Sequence, residues 1–182
     1  KLIRPNRYDG ATEKLNDFFG DVNHHICEVS AGNPDMRGMG CTICGLYFFG
    51  SNRFMPVNIG DSRIYMVEKR AVKQLTRDHS VVQSLIESGK ITPEDAKVHP
   101  RKNVITRALG AEEDVAVDSD CLNLSNGDTL LLCSDGLTNF LDDKDILTVF
   151  QNNDISAVAE RLVEEANKNG GGDNITVVTV TK

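Results

Sequence analysis

Four short apolar runs follow one another between Cys41 and Leu75: Cys41 to Phe49, Phe54 to Ile59, Ile64 to Val67 and Val72 to Leu75. Only a few residues separate them, Gly60-Asp61-Ser62 in one case and a turn centred on Lys69-Arg70 in another. A parallel crossover needs about a dozen residues or more, so these runs must join as an antiparallel meander rather than as βαβ units. The first run, continuous from Cys41 to Phe49, reads as a strand buried on both faces. Further strands are expected over Val115 to Leu122, Thr129 to Cys133 and Ile175 to Val180.

Helices bracket this β-rich centre. Leu15, Phe18, Phe19, Val22 and Ile26 recur at helical spacing, which predicts a helix over residues 11–30. Ala31-Gly32-Asn33-Pro34-Asp35 ends it. Asp145 to Phe150 and Ile155 to Lys168 read as a second group, the latter burying Val158, Leu162, Val163 and Ala166, with Asn169-Gly170-Gly171-Gly172 as its stop. Between Arg77 and Gly110 the chain turns polar. Ser80 to Ser88 carries a short helical pattern, and Thr92-Pro93-Glu94-Asp95 starts another in the manner of an N-cap followed by proline. Such a long polar excursion between strands is characteristic of functional insertions. Strand runs and helix groups together predict a layered α+β domain.

The 182 residues suffice for one such domain. Phe and Tyr number 7 and 3 and Trp is absent, so the core rests on aliphatic side chains. The formal net charge of −7 argues against a module that binds a nucleic-acid backbone. No run approaches the ~18 apolar residues of a membrane span, and Lys1 to Arg7 lacks the apolar stretch of a signal peptide. The five cysteines, an odd number in a chain of this size, do not suggest a disulfide framework. Cys41 and Cys44 have redox or zinc spacing but no second pair, and read as small core thiols; a reducing, cytoplasmic setting fits. Adjacent His24 and His25 point to different helix faces and make a poor metal pair. His79 and His99 read as structural, and Cys133 as a packing residue.

Three acidic residues stand at strand ends beside glycine. Asp61 follows Gly60; Asp135 follows the run ending in Cys133-Ser134 and precedes Gly136; Asp173 follows three glycines and precedes the last strand. Carboxylates at strand mouths, where glycine allows close backbone approach, can present oxygen ligands to a hard cation. Each alone is equally a turn residue.

From about Leu15 to Thr181 the chain resembles the metal-dependent type 2C protein serine/threonine phosphatases in their bacterial form. The resemblance rests on six stretches in the family's order: Arg37-Gly38-Met39-Gly40-Cys41-Thr42; Asn58-Ile59-Gly60-Asp61-Ser62-Arg63-Ile64-Tyr65; Leu75-Thr76-Arg77-Asp78-His79-Ser80; His99-Pro100-Arg101 through Arg107-Ala108-Leu109-Gly110; Gly127-Asp128 with Leu131-Leu132-Cys133-Ser134-Asp135-Gly136-Leu137; and Gly171-Gly172-Asp173-Asn174-Ile175-Thr176-Val177. It implies a four-layer αββα sandwich of two antiparallel sheets flanked by helix pairs. It implies two or three Mn²⁺ or Mg²⁺ ions, with Asp135 and Asp173 on the first and Asp61 with Asp135 on a weaker third. It implies hydrolysis of phosphoserine and phosphothreonine in proteins, among them targets of a cognate kinase, by a metal-activated water, so no side chain is assigned as nucleophile. The segment from about 77 to 110 corresponds to the family's flap beside the active site.

The sequence departs from the family before Leu15. The family's early strands, its phosphate-binding Arg and its Asp-Gly-x-Gly-Gly-His segment are not recognisable. Asp9-Gly10 lacks the following glycines and His, and reads as a helix boundary or loop. The expectation is one phosphatase domain over 1–182, lacking roughly 60 to 70 N-terminal residues with their strands. Its open strand edges would need an oligomer or swapped partner as cover. The alternative is a catalytically silent phosphatase-like domain used for binding or regulation.

Overall fold

The computed structural model describes residues 9–49 and 52–182. Residues 1–8 lie outside them.

The first helix, α1 (Asp9–Gly32), follows from its apolar stripe. Leu15, Phe19, Val22 and Ile26 pack with Ile43, Val57, Ile59, Leu109 and Val117. Phe18, counted with that stripe, is instead exposed and meets the Phe19 ring edge-on at 5.1 Å. Asn23, buried on the same face, donates to the carbonyls of Glu112 and Glu113 at 2.9 Å and accepts from Gly110 at 2.7 Å. It ties the helix to the loop after Gly110.

One sheet contains β1 (Ile43–Phe49), β2 (Arg53–Ile59), β5 (Asp118–Ser119) and β6 (Leu122–Asn123). β1 and β2 form an antiparallel hairpin in register from Ile43 opposite Ile59 to Phe49 opposite Arg53; β5 and β6 both pair with β2. The second sheet has β3 (Arg63–Glu68), β4 (Ala71–Gln74), β7 (Thr129–Cys133) and β8 (Val177–Thr181) in the antiparallel order β4-β3-β7-β8. Phe54, Leu124 and Leu130, with Leu46, Met66 and Val180, fill the space between the sheets. Tyr65, Val67, Leu131 and Cys133 point the other way, toward α4 (Asp135–Thr138), α5 (Asp143–Asn152) and α6 (Ile155–Lys168), where Leu137, Ile146, Val158, Leu162 and Ala166 complete a second core. Leu130 and Leu131 thus serve opposite faces of one strand. That explains why β7 is apolar without alternation: both of its faces are covered. The layers run helix, sheet, sheet, helix, as expected. On the α1 side, a single helix covers the sheet among the described residues.

Three expectations are corrected. β1 is not buried on both faces: Tyr47 and Phe48 are 49% and 45% exposed, because β1 is an edge strand that pairs only with β2 among the described residues. Cys41 is exposed rather than a core thiol, bridged to Leu109 through its backbone. Val115 to Leu122 is not one strand but the two-residue pieces β5 and β6, in part because the Val117 amide donates to the Asn16 side chain at 3.0 Å instead of to a ladder. Like β1, β8 pairs with one neighbour only among the described residues, and Val178 is 48% exposed.

Candidate metal centre

The three sequence-predicted carboxylates leave the same end of the second sheet. Arg63, Cys133 and Val177 form one row across β3, β7 and β8. Asp61 lies two residues before Arg63, Asp135 two after Cys133, and Asp173 four before Val177. Their backbones also touch. Ser134 donates from its amide to the Thr176 carbonyl at 3.1 Å, and Thr176 donates back to the Ser134 Oγ at 3.0 Å. A Cβ on Gly136 would stand 2.3 Å from the Asn174 carbonyl oxygen, so only glycine allows this approach.

Asp61 and Asp135 are brought together; both line a cleft of about 710 Å³. Its other wall is the segment of about 77–110, named the flap after the family resemblance, with α2 (Val81–Glu87) and α3 (Pro93–Val98); it contributes Ile86, Ala96, Lys97 and Lys102. Burial, and then the charge of Asp135, push the Asp61 carboxyl above its ordinary value. Arg63 relieves this little, because its guanidinium is bound to Asp78. Asp173 is exposed, does not line the cleft, and accepts a local hydrogen bond from the Asn174 amide at 2.7 Å. Among the described residues, no three acidic, histidine or cysteine side chains gather as a ready metal-ligand group. The donor chemistry nonetheless fits a hard dication: two oxygen-only ligands, one held against its own ionisation by the other, are what a divalent cation relieves.

The turn bearing Asp61 is braced on all sides. Gly60 has φ +116°, and a Cβ there would stand 2.4 Å from Thr42 Cγ2. Thr42 and Ser62 share a hydroxyl hydrogen bond of 3.1 Å. Asn58, buried inside an apolar run, donates to the Gly60 and Arg77 carbonyls at 3.2 and 3.0 Å. His79, only 3% exposed, accepts from the Gly60 amide through Nδ1 at 3.0 Å. The flap roots close like a zip: Val81 donates to Val104 and Thr106 to His79. The quoted motifs contained Asn58, Arg63, Asp78 and His79, but the ties among them are tertiary. The one local signal was a polar Asn within the apolar β2 run.

The cysteines and remaining histidines play other parts. Burial pushes the Cys44 and Cys133 thiols up to about 12, which makes them inert packing groups. His24 and His25 are exposed, and His24 sits 3.4 Å from Glu28. No helix among the described residues is long and apolar enough to cross a membrane.

Residues 16–175 match the Protein phosphatase 2C family. The serine/threonine phosphatase stp of Listeria monocytogenes serotype 4b is 40% identical over 163 residues, which is 89% of this chain and 64% of that protein. The chain therefore spans just under two thirds of that relative's length. The crystal structure of the serine/threonine phosphatase Stp1 from Staphylococcus aureus superposes with a TM-score of 0.90 at 31% identity, covering 100% of this chain and 71% of that one. The catalytic domain of PstP in complex with 2 manganese ions superposes with a TM-score of 0.81 at 38% identity, covering 92% and 70%. On the family match and the shared fold, the chain belongs to the protein phosphatase 2C family.

Proposed function

We propose that this protein hydrolyses phosphoserine and phosphothreonine in proteins. The carrying observation is the Asp61–Asp135 pair at the floor of the flap-walled cleft. The names of the Listeria relative and of the Staphylococcus structure, both serine/threonine phosphatases, support the reading, as does the PstP complex with manganese.

Asp61, Asp135 and Asp173 are the proposed ligands of two or three Mn²⁺ or Mg²⁺ ions. When bound, such ions lower the pKa of a water nucleophile and neutralise charge on the phosphoryl oxygens. The protein's part is placement. The β3-β7-β8 row fixes where the carboxylates leave the sheet, Gly136 lets the Asp135 and Asp173 segments close up, and the apolar flap residue Ile86 limits water around the substrate. The segment from about 77 to 110 acts as the flap of a single phosphatase domain over 1–182. The natural substrates are phosphoproteins of a cognate serine/threonine kinase in the cytoplasm. The edges of β1 and β8, each paired on one side among the described residues, are covered by an oligomer or a swapped segment.

The test is hydrolysis of a phosphothreonine peptide by the full-length protein with and without Mn²⁺. Activity is expected only with the metal and is expected to fall at least ~100-fold in Asp135→Asn. Turnover that persists in the Asp61→Asn, Asp135→Asn double variant, or in excess chelator, rejects the reading.

A further inference from the structure

His79 links three segments that are remote in sequence. Its Nδ1 accepts from the Gly60 amide at 3.0 Å, and its own amide donates to the Gly60 carbonyl at 2.9 Å. One residue therefore holds both polar groups of the glycine next to Asp61. Because Nδ1 accepts, the ring proton resides on Nε2, which donates to Asp118 Oδ2 at 3.0 Å. Arg107 Nη1 is also 3.0 Å from Nε2, but two donors cannot bond one another. Its partners are Asp118 Oδ1 at 2.6 Å and the Ala116 carbonyl at 3.1 Å. Asp118 stands in β5 directly opposite Asn58 of β2, so the brace closes on the strand that leads into Gly60. A side chain as buried as His79, placed only to fill space, would not need this tautomer or this carboxylate behind it.

We infer that His79 is a positioning residue for the metal centre, holding the Gly60–Asp61 turn so that the Asp61 carboxylate faces Asp135. It acts through the backbone and touches no substrate. Asp118 sets its tautomer, and Arg107 sets Asp118. The inference rests on the proposed role of Asp61 as a metal ligand.

The test uses three variants of the full-length protein. His79→Asn keeps an acceptor where Nδ1 lies, His79→Gln places its polar group at the Nε2 position instead, and Asp61→Asn removes the carboxylate. Bound Mn²⁺ is counted by electron paramagnetic resonance titration. Amide exchange at Gly60 is followed in metal-free protein, and circular dichroism reports folding. His79→Gln is expected to speed Gly60 exchange at least tenfold and to weaken the weakest Mn²⁺ site at least tenfold. His79→Asn is expected to stay within threefold of wild type on both measures. A folded His79→Gln with unchanged Gly60 exchange and Mn²⁺ binding overturns the inference, as does a His79→Asn that is equally impaired. If Asp61→Asn also leaves Mn²⁺ binding unchanged, the metal-site reading fails; if Asp61→Asn weakens binding and His79→Gln does not, only the positioning role fails.

Discussion

The guanidinium of Arg63 clasps the carboxylate of Asp78. Its Nε lies 2.9 and 3.0 Å from the two oxygens, and its Nη2 2.6 Å from Oδ2. This joins the first residue of β3 to the root of the flap. The remaining donor, Nη1, reaches the Tyr65 hydroxyl at 3.0 Å, and Gln74 donates to Asp78 at 2.8 Å. Arg63, Gln74 and Asp78 line the same cleft as the Asp61–Asp135 pair.

Removing one member of a mostly buried pair leaves the other charge uncompensated. Asp78→Ala is therefore expected to cost about 3 kcal/mol in urea unfolding. Arg63→Lys is expected to recover little of the wild-type stability, since an ammonium cannot make the forked contact. An Asp78→Ala protein within about 0.5 kcal/mol of wild type would show that the clasp is a surface decoration.

Asp118 should give stability that depends on pH. Burial raises its carboxyl pKa, but the hydrogen bonds from His79 and Arg107 outweigh burial and hold it below the ordinary 3.8. A carboxyl depressed in the folded state stabilises above the unfolded value, and that contribution fades as pH falls through the folded value. Asp118→Asn is thus expected to unfold at a lower temperature than wild type at pH 7, and the gap should close as pH drops below 3.8. A gap that stays constant across that window contradicts the assignment.

Gly136 is a steric test free of backbone strain, since its φ is not positive. A methyl group there meets the Asn174 carbonyl, so Gly136→Ala must push the Asp135 and Asp173 segments apart. The expected cost is about 1–3 kcal/mol, with a loss of Mn²⁺ affinity larger than that of a distant variant of equal stability. Unchanged metal binding would mean that the two segments do not act together.

Asp142 caps α5 on the cleft wall. It accepts from the Lys144 and Asp145 amides at 2.9 and 3.1 Å, and its own amide donates to Asp145 at 3.0 Å. Asp142→Ala is expected to lose about 1 kcal/mol by chemical denaturation; Asp142→Ser should recover most of it.

The sequence was informative wherever a signal is local. The spacing of Val158, Leu162 and Ala166 predicts α6 with the boundaries observed, and Ser80 and Thr92 sit at N-caps as their neighbours imply. It misled where burial is decided by what lies alongside. The run ending in Tyr47-Phe48-Phe49 is as apolar as β7, yet among the described residues β7 has a strand on each side and β1 has one. The site was half legible. Asp61 and Asp135 line one cleft, as their strand-end positions suggest, whereas Asp173 leaves the same end of the sheet but accepts from the adjacent Asn174 amide. The His79–Gly60–Asp118 brace could not be read, because its parts lie 19 and 39 residues apart and only the sandwich assembles them.

The row of Arg63, Cys133 and Val177 makes the spacing of the acidic groups a matter of strand alignment. A slip of β8 along β7 by a single position would move Asp173 about 3.3 Å and swap inward for outward side chains over the whole strand. Val177, which packs against the helix-side core, would then turn toward the other sheet, so misalignment disturbs packing as well as moving Asp173. Correct pairing of two short antiparallel segments thus fixes the packed face of the strand and the position of an acidic group at once.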